Sequence, residues 1–124
     1  MMRRVTLLLP LTFNDGSAVP TELLKTIREE TFVAFGGWTV AGEVEGAYRM
    51  HQTGQKQIDR LLELWVVVED IAVPQLRHLV ARFGALLGQE AMYFEVGTST
   101  VEFIPLLPQE NQTDDQRGGA APTS

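Results

Sequence analysis

Cysteine is absent from this 124-residue chain. Its absence removes a disulfide framework, a thiolate nucleophile and any cysteine-ligated metal centre. Histidine is scarce: His51 and His78 fall on different segments, and no pair stands at the spacing that sets two ligands on one helix face or on adjacent strands. No metal site and no cofactor are expected. Positive charge is also thin, with 10 Lys and Arg against 16 Asp and Glu and a net charge of −6. A nucleic-acid groove or an anionic membrane surface requires clustered basic side chains, so neither is an expected partner. No apolar run approaches the roughly 20 residues that cross a bilayer as a helix. Ser17, Ser99 and Ser124 lack the glycine context and nearby base of a catalytic serine. Gly36-Gly37 lacks the Lys and Ser/Thr of a phosphate loop and follows a helix instead of opening one, so it reads as a helix terminator, with Gly37 in the left-handed position.

What the chain does contain is an apolar fraction of 44%, enough for one domain with a single core. The most apolar run, residues 61–70 (LLELWVVVED), is rich in β-branched and aromatic residues and is read as a buried central strand. Its even positions Leu62, Leu64, Val66 and Val68 form an unbroken aliphatic face, while its odd positions mix Leu61, Glu63, Trp65, Val67 and Glu69. The even face is assigned to a helix layer, and the odd face needs a second explanation.

The remaining segments cover that strand. Alternation over 3–12 predicts a first strand. Met1-Met2-Arg3-Arg4 before an apolar stretch has the outline of a signal peptide, but Phe13-Asn14-Asp15-Gly16 follows where small residues would prepare cleavage, so a cytoplasmic chain is expected. A helix opening at Pro20 carries Leu23, Leu24, Ile27, Thr31, Ala34 and Phe35 at helical spacing. A second strand over 38–50 contains Gly42 and Gly46, a sign of a bulge or bend, and a hairpin loop over 51–57 leads into the central strand. A second helix starting near Pro74 and stopped by Gly88 carries Leu76, Leu79, Val80, Phe83, Leu86 and Leu87 on one face and Arg77 and Arg82 on the other. Strands over 91–96 and 101–104 follow, closed by Pro105 and Pro108. Ala18-Val19-Pro20 and Ala72-Val73-Pro74 both open a helix after a strand, a faint echo of two related halves. The predicted class is α+β, a ferredoxin-like β-α-β-β-α-β two-layer sandwich with an extra short C-terminal strand. It occupies residues 1–108. Residues 109–124 have no large apolar side chain to offset the entropy of ordering and are expected to form a disordered acidic tail.

Phe35-Gly36-Gly37-Trp38-Thr39-Val40, then Glu45-Gly46-Ala47-Tyr48, a hairpin loop with Gly54, a long aliphatic strand ending in acid and Leu87-Gly88-Gln89-Glu90-Ala91 resemble, over about half the chain, residues 35–96, a family of small uncharacterised bacterial proteins of ferredoxin-like fold. The resemblance implies that the Gly-Gly segment joins the first helix to the second strand and that the Gly-Gln-Glu segment joins the second helix to the fourth. It implies no activity.

The most informative constellation is the sheet face turned away from the helices. It is expected to carry Leu61, Glu63, Trp65, Val67 and Glu69, joined across the hairpin by Glu43, Glu45 and Arg49 and completed by Thr6, Leu8 and Tyr93. Such a face forms a subunit interface, lines a ligand pocket, or is shielded by residues 101–107 of the same chain. The leading expectation is a non-enzymatic binding or assembly module, a homodimer or higher oligomer joined through Leu61, Glu63, Trp65, Val67, Arg49 and Tyr93. The alternative is a small enzyme of the dimeric α/β-barrel kind, with acid-base work from Tyr48, Arg49, His51, Glu63 or His78 on a small-molecule ligand.

Overall fold

The computed structural model describes residues 1–108; the expected tail at 109–124 lies outside the described residues. Alternating aliphatic residues form strand β1, Met2–Pro10, and helix α1 follows as Thr21–Phe35. Strands β2, Thr39–Arg49, and β3, Lys56–Glu69, make a long hairpin. A 3-10 turn, Asp70–Ala72, leads into helix α2, Val73–Leu86, and the short strand β4, Phe94–Val96, closes the series. Among the described residues the four strands form one antiparallel sheet in the order β2-β3-β1-β4, and with the two α-helices they make a domain of α+β class.

The register explains why the helices cover one face only. Val5 faces Val66, Leu7 faces Leu64 and Leu9 faces Leu62, and residues opposite one another in antiparallel strands share a face. On that face Val5, Leu7, Leu9, Leu64, Val66 and Val68 meet Leu24 and Ile27 of α1, Leu76, Leu79, Val80 and Phe83 of α2, and Leu87 just after it. Each of these side chains contributes about 1.5–3 kcal/mol when fully buried. Thr31 is buried among them with its hydroxyl satisfied, donating to the Ile27 carbonyl at 2.8 Å. Val19, just ahead of α1, and Val73, the first residue of α2, are the two echoed positions, and both enter this core.

Four expectations need correction. Gly36, not Gly37, is the left-handed residue that ends α1: its φ is 88°, and its N–H donates to the Phe32 carbonyl at 2.8 Å. Leu86 and Ala34 lie on exposed sides of their helices. The fourth strand starts only at Phe94. A turn in which Gln89 N–H reaches Gly84 O and Gly88 N–H reaches Ala85 O ends α2, and 89–93 must then carry the chain to the sheet edge. The fifth strand is reduced to a single bridge between Val101 and Met2, because β1 starts at Met2 and offers later residues no partner.

Candidate functional site

The most consequential departure from expectation is at Gly42. The β2–β3 register shifts between Val40 and Gly42, and Gly42 adopts φ 138°. This bulge inserts one residue, so side chains beyond it change sides. Val40 pairs with Leu64 on the helix side, but Val44 then pairs with Leu61, Gly46 with Asp59 and Tyr48 with Gln57, all on the open side. Glu43, Glu45 and Arg49, expected on the open face, lie on the other one, where Glu43 Oε1 is 2.6 Å from the Arg60 guanidinium. Both Glu43 and Arg60 are exposed, and such a pair is worth about 0–1 kcal/mol.

The open face therefore has two parts. Around the middle of β3, Trp65 pairs with Thr6 of β1 and Thr39 of β2, and Val67 pairs with Arg4. The Arg4 guanidinium lies 4.0 Å from the centre of the Trp65 ring, and the indole N–H donates to Glu63 Oε2 at 2.8 Å. These contacts hold the ring over the sheet, but no helix or loop among the described residues covers it: Leu8, Glu63, Trp65 and Val67 are all half-buried.

At the other end of the face, the hairpin tip and the α2–β4 connection enclose a cleft of about 310 Å³, lined among others by Tyr48, Arg49, His51, Asp59, Leu61 and Tyr93. His51 N–H donates to Glu90 Oε1 at 3.4 Å and Asn14 donates to the Gly88 carbonyl at 3.1 Å, which tie the rim together. Leu61 is only 6% exposed although it faces away from the helices. Asp59, which the sequence reading passed over, is 9% exposed and accepts from the Gln57 amide at 3.0 Å. Tyr93 is exposed; its hydroxyl donates to Glu95 Oε1 at 3.0 Å, and this bond raises the phenol above its ordinary value.

The cleft thus gathers Leu61, Tyr93 and Arg49, the last from across the strand with its guanidinium donating to the Gly54 carbonyl at 3.0 Å. Glu63, Trp65 and Val67 are outside its lining. Of the proposed acid-base set, Tyr48, Arg49 and His51 line it, whereas Glu63 and the exposed His78 on α2 do not. The signal that could have found Tyr48 and Val44 was Gly42 itself, whose bulge inverts the alternation; nothing local marks Asp59. A wider depression of about 630 Å³ at the end of α1, between Phe32, Val33 and Trp38, has Glu29 as its sole ionisable lining residue. No helix among the described residues is long and apolar enough to cross a membrane.

No protein-family model and no curated protein matches this chain. Solved structures do share its fold. A phage SAM lyase in complex with S-methyl-5′-thioadenosine superimposes with a TM-score of 0.62 at 11% identity, over 77% of this chain and 80% of that one. A divalent cation tolerance protein (Cut A1) from Thermus thermophilus gives 0.57 at 19% identity, over 83% of this chain and 88% of that one. A Bacillus cereus protein related to NIF3 gives 0.51 at 12% identity, over 77% of this chain but 24% of its own length. At these identities the likeness is one of fold, a small α+β domain.

Proposed function

We propose that this chain is a ferredoxin-like domain, residues 1–108, that works in the cytoplasm as a binding and assembly module and self-associates through its open sheet face. The observation that carries the reading is the row Leu8, Trp65 and Val67, apolar side chains aligned on one face and left half-buried by the described residues. Glu63 and Arg4 hold the Trp65 ring in place, so little side-chain entropy remains to be lost on association. Leu61 and Tyr93 extend the same face toward the cleft. The element order and the sheet order β2-β3-β1-β4 support the ferredoxin-like assignment. Sedimentation at micromolar concentration tests the function: an oligomer that Trp65→Asp dissociates is expected, and a strict monomer insensitive to that change refutes it.

A second reading is favoured by the cleft. Tyr48, Arg49 and His51 with the buried Asp59 form the kind of polar lining that positions a small molecule, and one protein of similar fold is a SAM lyase captured with S-methyl-5′-thioadenosine. This reading expects a rise in thermal midpoint with that nucleoside that Asp59→Asn abolishes. No shift in either protein removes it.

A further inference from the structure

We infer that residues 102–107 form an arm that docks on the open sheet face of a second copy of this chain. The inference rests on the self-association reading and names the segment that completes it. Its main observation is the arm's exposure. Phe103 is 71% exposed, Ile104 72%, Leu106 92% and Leu107 87%, so four large apolar side chains in a row of five positions find no cover among the described residues of their own chain. The exposed apolar cluster at the end of α1 is smaller and less exposed, with Phe32 at 57%, Val33 at 85% and Trp38 at 39%.

The path of the backbone explains why the arm does not cover its own sheet. Residues 94–96 run antiparallel to β1 toward its beginning, Gly97 N–H reaches the Arg4 carbonyl at 2.9 Å, and Val101 N–H reaches the Met2 carbonyl at 3.0 Å. That is the last rung. Beyond it the chain passes the start of β1, and 102–108 have no regular structure and are exposed throughout. Pro105 and Pro108 cannot donate to a ladder and hold φ near that of an extended chain, which suits a segment laid across side chains better than one added to a sheet edge. Six extended residues reach about 20 Å. The outer strands of a four-stranded sheet are about 15 Å apart, so the arm is long enough to cross such a face.

The arm and the face are complementary in what each lacks. Among the described residues, Leu8, Trp65 and Val67 form an apolar row without a lid, and the arm is an apolar strip without a floor. A contact that one chain leaves unmade within itself, while both halves of it stay exposed, is available between two copies, as in arm exchange between subunits. Glu102, at the root of the arm, is matched in charge by Arg4, the basic side chain stacked on Trp65.

The absence of native cysteine makes the test direct. Val67→Cys and Leu106→Cys are prepared as separate full-length proteins, one isotopically heavy, then mixed and oxidised. The mixed disulfide is expected to exceed both homotypic products several-fold and to exceed the product of Leu106→Cys with Val33→Cys. Equal yields from Val67 and Val33 overturn the inference, as does a double Val67→Cys/Leu106→Cys protein that closes its bridge within one chain. Sedimentation then separates this inference from the reading beneath it. If Leu106→Asp/Leu107→Asp stays associated while Trp65→Asp dissociates, the arm is refuted and the open-face interface stands; if the parent is a monomer, both fall.

Discussion

On one face of β3, Leu64, Val66 and Val68 are buried to within 3% of completion; one residue along the same strand, Glu63, Trp65 and Val67 are only half-buried. Trp65 and Val67 are no less apolar than their neighbours. The difference lies in what the rest of the chain supplies: α1 and α2 both pack on the first face, and the segment that could have covered the second, 102–107, points its apolar side chains into solvent. Hydrophobicity sets the demand for cover, and topology decides which face the chain itself can satisfy.

The contrast can be broken most forcefully on the helix side. Leu64→Ala removes a fully buried side chain opposite Leu7 and is expected to lower stability by about 2–5 kcal/mol at every protein concentration. Urea unfolding at two concentrations checks this; a smaller or concentration-dependent loss denies that this face is an intramolecular core. Gly42→Val is expected to cost about 1–2 kcal/mol, since φ 138° is strained for a β-branched residue. It should also disturb the cleft through Tyr48. If stability is unchanged, the bulge does not fix the sides of β2. Trp65→Ala sharpens the other half of the comparison. Within one chain it removes a cation–π contact worth about 0.5–1 kcal/mol, so its principal effect should appear as weaker association in sedimentation. A concentration-independent loss as large as that of Leu64→Ala places Trp65 in a core instead.

The smallest effect concerns Tyr93. Its phenol is raised by the bond to Glu95, so the folded state holds the proton more tightly than the unfolded state. The sign follows: the stabilisation is complete below the ordinary tyrosine value of 10.0 and is lost as the pH rises through the folded value. Glu95→Gln should bring the phenol back toward that ordinary value in an ultraviolet titration; an unchanged titration shows that Glu95 is not the cause.

Much of this molecule was legible as pattern. The even face of β3 was readable because strand alternation has a strict period of two and aliphatic residues fill it without interruption. The helices were readable from Leu24, Ile27, Leu76, Leu79 and Phe83 at helical spacing, with Pro20 and Gly88 marking where they could begin and end. The placement of Glu43, Glu45 and Arg49 failed for an equally definite reason. One inserted residue at Gly42 reverses parity, and the sequence marked a bend there without fixing how many residues it absorbed.

By itself, then, the sequence determined the class of the domain, the order of its elements and the identity of its core, since these depend on local periodicity and on which side chains avoid water. The cleft was decided by tertiary structure alone: Asp59, Tyr48 and Tyr93 are brought together by the bulged hairpin and the α2–β4 connection, segments remote in sequence. The exposure of residues 102–107 was likewise beyond local reading. Whether an apolar segment is buried depends on where the preceding rung of the sheet ends, and that is set by the start of β1 about a hundred residues earlier in the chain.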